Sequence, residues 1–477
     1  MIPDKRLIYD NCPEVVKNMI GFGLRRFPRF RWRPTKEETI YFESLVKTEY
    51  APTDVLKRLQ CSKLKKLINH AAVHVPYYRK LFNERGLRPE DFQSLDDLQK
   101  LPLLTKEMIR ANPDDFLSNE ICDRATLTKI TTGGSTGTPM QYYFDAHMIG
   151  VRRATWWRWS MFAGIELYAD RMIYCGGAPQ NWIYPPEDFS GLVNYERNQL
   201  FLSSAAMSNK VLDRYIEDMK KFKGDYIRGY ASGTYMLAHR VIEKGLVLPM
   251  KAVLTSSDTL FPQYRDTIEK AFSCKVYDHY GQNEDILTAT ECGVSPGLHV
   301  NMESCIAETV NEKGEPVLGT EGKFVSTHLE NFVTPLIRYV VGDVGILDSS
   351  SKKCECGRHH QKILSFTGRD DEIIVTPEGR RIGCGSMNQP MKTMHSSIQR
   401  CQFVQESINL LKVKIIPTDA WADSVHRVEL EANIRMQVGD KIGLEIEKVK
   451  DIPARENGKY QFIVSKISSK KKRTVSE

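Results

Sequence analysis

No stretch of this chain is apolar for long enough to cross a bilayer, so no transmembrane segment is expected. The opening run MIPDKRLIYDNCPEVVKNMIGFGLRRF scatters charges through its apolar residues, which speaks against a secretory signal. Charge of one sign is scarce as well. Lys and Arg number 67 against 60 Asp and Glu, a formal net charge of +7 over 477 residues. That balance suits small anionic ligands and makes no case for a nucleic-acid partner. The 11 cysteines do not gather into a short disulfide framework; they read as reduced thiols of a cytoplasmic protein, a few of them on a metal. Internal repeats and low-complexity segments are missing, which excludes solenoids and arrays.

What is present is enough chain for two or more domains. Residues from about Lys47 to Ala111 repeat apolar side chains at three- and four-residue steps, with Ser94 and Thr105 as helix-start signals. From Ile130 onward, short β-branched runs (RMIYCGG, YIRGY, AVLTSS, KVYDHYG) alternate with helical ones, the pattern of a parallel sheet covered by helices. After Gly293 the strands crowd together around turns such as Asn311–Gly314, an antiparallel pattern. From about Asp371 the alternating runs VHRVELEANI and IGLEIEKVKDIP read as strands of a small α+β unit with a solvated tail.

The expected fold is therefore α/β. It has a large N-terminal domain (1–370, with a helical lead-in over about 1–115) of helix-covered sheets plus an antiparallel β section. A small α+β domain (371–477) follows.

The segment KITTGGSTGTPMQYYF asks for a function, because so small-sided a run cannot fill a core. Backbone amides of Gly133, Gly134 and Gly137, with the hydroxyls of Thr132, Ser135, Thr136 and Thr138, can converge on phosphate oxygens. No Lys follows the last glycine, so the segment is not a Walker loop, and a plain surface turn is the competing reading.

Distant segments decide between them. TTGGSTGTP resembles the phosphate loop of adenylate-forming enzymes, the acyl- and aryl-CoA synthetase superfamily. YGQNE (Tyr280–Glu284) looks like that superfamily's aromatic-Gly-x-Ser/Thr-Glu motif, with Asn283 at the Ser/Thr position. RYVVGDVG carries the Gly-Asp motif at Asp343, TGRDDEII resembles the hinge motif, and PARENGK fits the C-terminal motif through Pro453, Gly458 and Lys459. HVPYYRKLF, LPLLTKEMIR and TPLIRYVVGD narrow the likeness to the phenylacetate-CoA ligase branch and its capsular-polysaccharide-locus relatives.

The resemblance implies a two-step reaction. A small carboxylic acid attacks the α-phosphate of ATP, and the acyl-adenylate then passes its acyl group to a nucleophile, usually CoA. It implies that Thr132 to Thr138 hold the leaving phosphates, although Thr138 stands where the wider superfamily has Lys. Glu284 is implied to hold Mg²⁺. Tyr280, Gly281 and the Thr255–Asp258 stretch, with Ser257 and Asp258, are implied to line the adenine. Asp343 is assigned to the ribose, assisted by Arg369, and Asp371 to the hinge, which implies that the small C-terminal domain is mobile. Lys459 is assigned to the α-phosphate as a mobile cation. The rival readings are transfer to an amine or carrier, and a non-catalytic zinc-bearing scaffold. The implied role is aromatic catabolism or surface-polysaccharide tailoring, in a monomer or homodimer.

Two further clusters stand out. Cys354 and Cys356 in CECGRHH, with Cys292 and His299 in ECGVSPGLHV, make a candidate structural Zn²⁺ site; Cys305, His359 and His360 are rival ligands. Trp156, Trp157 and Trp159 fall together on a helical run, either as walls for an aromatic acid or as core. Tyr230–Thr234 is a candidate for shaping the acyl site by the same family analogy.

Overall fold

The computed structural model describes residues 33–467 apart from 122, 132–139, 177–189, 195–196, 205–208, 258–259, 261, 351, 370–372, 379–380, 384–386, 388, 393, 395–396, 418–420, 451 and 453–461. Two compact units alternate along the chain. Of the described residues, one takes those within 33–35, 160–255 and 261–276; the other takes those within 36–159, 256–260 and 277–467. No helix among the described residues is long and apolar enough to cross a membrane.

The larger unit begins with helices α1 (Lys36–Thr48), α2 (Thr53–His74) and α3 (Pro76–Arg85). In α2 the residues Leu56, Gln60, Leu64, Leu67, Ile68 and Ala71 fall on one face and are buried. Pro76 starts α3, where its missing N–H costs nothing, and Gly86 ends it in a left-handed conformation, φ 63°. The Thr105 hydroxyl caps α4 (Lys106–Ala111) by accepting from the Met108 amide at 3.4 Å. Ser94 does not cap as expected: its amide and hydroxyl both donate to Asp97 Oδ2, at 2.7 and 2.8 Å, because the carboxylate is the stronger acceptor. Strands β1 (Thr128–Thr131) and β2 (Gln141–Phe144) then pair antiparallel, and α5 (Ala146–Phe162) follows.

In the smaller unit the expected alternation is present. Strands β3 (Met172–Gly176), β4 (Leu192–Asn194), β5 (Gln199–Ser203), β6 (Tyr226–Tyr230) and β7 (Val253–Ser256) run in the order β7-β6-β3-β5-β4. Helix α6 (Asn209–Phe222) joins β5 to β6, α7 (Ala231–Glu243) joins β6 to β7, and α8 (Pro262–Phe272) follows β7. β3 is parallel to β5 and β6. Backbones approach so closely at Gly229 that a Cβ there would lie 2.0 Å from the Cys175 carbonyl oxygen.

Back in the larger unit, β8 (Val276–Tyr280), β9 (Ala289–Glu291), β10 (Leu298–Val300), β11 (Cys305–Val310), β12 (Glu321–His328), β13 (Tyr339–Leu347) and β14 (Lys362–Arg369) run in the order β11-β12-β13-β14-β10-β9-β8. Their pairings are antiparallel, as the turn chemistry predicts. The buried face packs Tyr280, Leu287, Leu298, Val300, Phe324, Leu347 and Ile363 together.

The C-terminal part has a core of its own, including Ile374, Phe403, Leu411, Val413, Ile415, Leu430, Ile434 and Ile463. Strands β15 (Ile373–Val375) and β16 (Arg381–Gly383) pair, short helix α9 (Gln389–Lys392) follows, and β17 (Ile398–Ser407) and β18 (Leu410–Pro417) join β19 (Gly443–Lys448) and β20 (Ile463–Ser465) in the order β19-β18-β17-β20. Here one expectation fails. VHRVELEANI is not a strand but the start of a helix, ending in α10 (Val428–Val438). The β-branched Val425 and Val428 that suggested alternation face solvent, while Leu430, Ile434 and Val438, four residues apart, cover the sheet.

Candidate active site

The segment carrying the glycine loop is bracketed by β1 and β2, whose facing ends are Thr131 and Gln141. Thr132, Gly133, Gly134, Ser135, Thr136, Gly137 and Thr138 themselves lie outside the described residues, as do Asp258, Asp371, Pro453, Gly458 and Lys459. Just beyond the loop, Tyr142 is fully buried. Its hydroxyl is pushed well above the ordinary range, first by burial and next by the charge of Glu284.

Glu284 sits in a tight turn after β8. The Asp285 amide donates to the Gln282 carbonyl at 3.0 Å, and Asp285 takes a left-handed φ of 55°, which Asp tolerates. Gly281 opens the turn where a Cβ would meet His279 Cε1 at 2.7 Å. Arg152 of α5 holds this turn: it donates to the Asn283 carbonyl, faces Asp285 Oδ1 at 3.7 Å and lies 4.6 Å over the Phe144 ring of β2. One side chain therefore ties the acidic turn to the loop's exit strand. Sequence reasoning missed Arg152, whose only signal was a basic pair in RRATWW.

The nucleotide-motif residues meet on the antiparallel sheet. Tyr280 ends β8 and its hydroxyl donates to Asp343 Oδ2 at 2.7 Å. Burial and the neighbouring carboxylate raise the phenol far above its usual value, so it stays a donor. Its ring packs between Phe324 and Phe366, with centroids at 5.7 and 5.1 Å. Asp343 pairs in register with Arg369 across β13 and β14. Gly342 before it has φ 93°, and a Cβ on Gly345 would strike the Ser365 carbonyl at 2.3 Å. Ser257 has a left-handed φ of 77° and contacts Ser256, whose hydroxyl lies 3.4 Å from His279 Nδ1.

Two of the tryptophans pack against neighbouring rings. Trp159 is fully buried, with its ring centroid 5.0 Å from that of His279, and Trp157 stacks on Phe42 of α1 at 3.9 Å. In the smaller unit Tyr230 ends β6 and Ala231–Thr234 form the first turn of α7.

The four cysteine and histidine candidates converge. The ligand atoms of Cys292, His299, Cys354 and Cys356 all lie within 4.8 Å of one another. Cys292 and Cys354 Sγ are 4.0 Å apart, and Cys356 Sγ is 3.4 Å from His299 Nε2. Tetrahedral zinc with bonds of about 2.3 Å to sulfur and 2.0–2.1 Å to nitrogen sets these separations at about 3.8 and 3.6 Å, so the donor set fits. Burial would raise the Cys354 thiol. Hydrogen bonds from Ser295, the Cys356 amide and Lys362 outweigh it and bring the pKa to about 6. Burial, with His360 and Lys362 nearby, lowers His299 to about 3, leaving a neutral ring with a lone pair to offer. Two of the rivals are engaged elsewhere: Cys305 Sγ faces the Asn301 carbonyl at 3.5 Å, and His360 Nε2 donates to Glu303 Oε1 at 3.0 Å; His359 is not among the four residues whose ligand atoms converge.

Comparison with known proteins bears on the family likeness and the fold. Residues 374–466 match the CapK C-terminal domain family. Over 468 residues the chain is 24% identical to protein CapK of Staphylococcus aureus, covering 96% of this chain and 99% of that one. It is 24% identical over 342 residues to phenylacetate-coenzyme A ligase of Thermus thermophilus, covering 69% and 73%. Its fold is similar to the crystal structure of 2-hydroxyisobutyryl-CoA ligase in the postadenylation state, with TM-score 0.57 and 19% identity over 90% and 94% of the two chains. The α/β fold and the family resemblance read from the motifs are both upheld.

Proposed function

We propose, from the chain's place in the phenylacetate-CoA ligase and CapK-like branch of the adenylate-forming superfamily, that the protein is an AMP-forming ligase joining a small carboxylic acid to CoA. The observation that carries this reading is the hydrogen bond from Tyr280 to Asp343, with Arg369 in register opposite. An aromatic ring and a carboxylate bound together at the end of one sheet suit an adenine face next to a ribose hydroxyl pair.

In the first half-reaction the acid's carboxylate oxygen attacks the α-phosphorus and pyrophosphate leaves. Negative charge spreads over the phosphates, so amide donors and cations must face it. Thr132–Thr138 would supply amides and hydroxyls to the leaving phosphates. Glu284 would hold Mg²⁺; carboxylate and phosphate oxygens are the ligands this hard cation prefers. Gly281, Ser257 and Asp258 would border the base.

Lys459 would bring its ammonium to the α-phosphate and withdraw, the C-terminal domain from 371 turning about Asp371. The thiol of CoA would then attack the acyl carbon and release AMP. Zn²⁺ at Cys292, His299, Cys354 and Cys356 would be structural, because four protein ligands leave no open position for chemistry.

The test is acid-dependent ATP–pyrophosphate exchange over a panel of carboxylic acids, followed by CoA-thioester analysis. Exchange with one acid and thioester formation are expected. Exchange without thioester would move the acceptor to an amine or carrier. No exchange with any acid, together with no ATP binding, would overturn the ligase reading.

A further inference from the structure

A second cluster of metal-ligand side chains lies on α2, apart from the nucleotide motifs and the cysteines. His70 and His74 are four residues apart and so share one helix face, and their ring centroids are 5.0 Å apart. Glu120, from the segment after α4, meets both: Oε2 is 3.4 Å from His70 Nδ1 and Oε1 is 3.3 Å from His74 Nε2. The three ligand atoms lie within 4.8 Å of one another.

The orientation of His70 gives the cluster its meaning. Its Nε2 is 2.8 Å from the Phe332 carbonyl oxygen, which can only accept, so the Nε2–H donates. The Phe332 ring stands edge-on to the imidazole at 5.2 Å and fixes its plane. In the neutral ring Nδ1 then carries a lone pair, aimed at a carboxylate oxygen. Two acceptors face each other, an arrangement that a cation between them would resolve. An imidazole with one nitrogen on a backbone carbonyl and the other turned to a carboxylate has the outer-shell pattern of metal-ligating histidines.

We propose that His70 Nδ1, His74 Nε2 and Glu120 form a binding site for a divalent transition-metal cation of the zinc class. Two imidazoles and one carboxylate are the donors that select such a cation over Mg²⁺ or Ca²⁺. Tetrahedral bonds of 2.0–2.1 Å place neighbouring donors about 3.3 Å apart, which matches both histidine–carboxylate distances. The backbone around the cluster is already braced: the Asn119 amide donates to the His74 carbonyl at 2.8 Å, and the Ser118 amide donates to the Val333 carbonyl at 2.9 Å. The bound ion would clamp the end of α2 to the segment that leads into β1 and the glycine loop.

The experiment loads the full chain with Zn²⁺ and, separately, with Co²⁺, then counts bound metal. His70→Ala with His74→Ala is expected to bind one equivalent fewer than the unmodified protein. The cobalt difference spectrum between the two should show ligand-field bands without thiolate charge transfer, which separates this site from the cysteines. Glu120→Gln, which leaves both rings in place, should weaken the same equivalent by about tenfold or more. Equal metal content in the double variant, a thiolate band in the difference spectrum, or unchanged affinity in Glu120→Gln would each overturn the site.

Discussion

Removing the carboxylate of Glu303 should destabilise the larger unit more than any single surface change. Glu303 is 2% exposed, and so is His360; Arg158 of α5 is 3% exposed. Arg158 donates to Glu303 Oε1 and Oε2 at 2.7 and 3.1 Å, His360 at 3.0 Å, and the Thr48 hydroxyl at 2.7 Å. Arg158 also donates to Asn301, and Glu49 Oε2 lies 3.9 Å from it. Glu303→Ala would therefore leave a buried guanidinium with one neutral acceptor and one distant, shared carboxylate. Orphaning one partner of a buried ion pair costs about 3–5 kcal/mol. With an unfolding entropy of about 2.1 cal/mol/K per residue over a cooperative unit of roughly 300 residues, that becomes a fall in Tm of about 5–8 °C.

The assay is thermal unfolding by circular dichroism at several pH values. Burial opposes ionisation of Glu303, but Arg158 and then His360 hold its carboxyl well below the usual range. Its folded pKa is depressed, so its contribution is complete above the unfolded value of about 4.3 and is lost as pH falls through the lower folded value. The gap between the unmodified protein and Glu303→Gln should thus stay constant from pH 8 to about pH 5 and close only below that. The double change Arg158→Met with Glu303→Leu removes the orphan and should cost less than Glu303→Ala alone. A double variant as unstable as the sum of the singles would refute the ionic account and leave simple packing.

Tyr280→Phe removes one hydrogen bond to Asp343 and should weaken ATP binding by about tenfold, in line with about 1.5 kcal/mol for a bond to a charged group; equal nucleotide affinity by calorimetry would detach this pair from the nucleotide. Cys354→Ser should release the zinc equivalent of the cysteine site and lower Tm by several degrees, measured by metal analysis with calorimetry, and full metal content would end the assignment. Lys459→Ala should slow adenylation at least a hundredfold with ATP binding retained, read from pyrophosphate exchange against calorimetric affinity. Gln405→Leu should destabilise the C-terminal sheet by about 1–3 kcal/mol, because its buried amide accepts from the Val375 amide and donates to the Val375 carbonyl, a pairing Leu cannot replace.

Much of this was legible in the chain because local chemistry carried it. The runs RMIYCGG, YIRGY, AVLTSS and KVYDHYG all hold strands, since β-branched residues bounded by turns leave little choice. The zinc candidates were legible because a Cys-x-Cys turn needs partners, and the ECGVSPGLHV segment, which places Cys292 just after β9 and His299 in β10, offered a Cys and a His. VHRVELEANI misled because alternation over so few residues also fits a helix, and only the sheet beneath it settles which face is buried. Arg152 and Glu120 escaped notice for a shared reason: each acts on residues far away in sequence, so neither leaves a local period or spacing to read.

The motif pair at Asp343 and Arg369 depends on structure beyond the motifs. The β13–β14 ladder shifts register twice, at Val344/Gly345 and at Ile346/Leu347. A ladder with two irregularities does not fix by itself which residue faces Asp343, because each slip would move every later pair. The lead-in to β14 is where the register can be set. Cys354 and Cys356 are gathered there with Cys292 and His299, and Arg358 and His360 are anchored to Glu49 and Glu303. At the other end the Lys362 ammonium donates to Ser295 at 2.6 Å. The cysteine cluster and the buried ion pairs thus hold the same few residues, and through them the position of Arg369 opposite Asp343. Sites that touch no nucleotide can in this way govern the geometry of the strand pair that would.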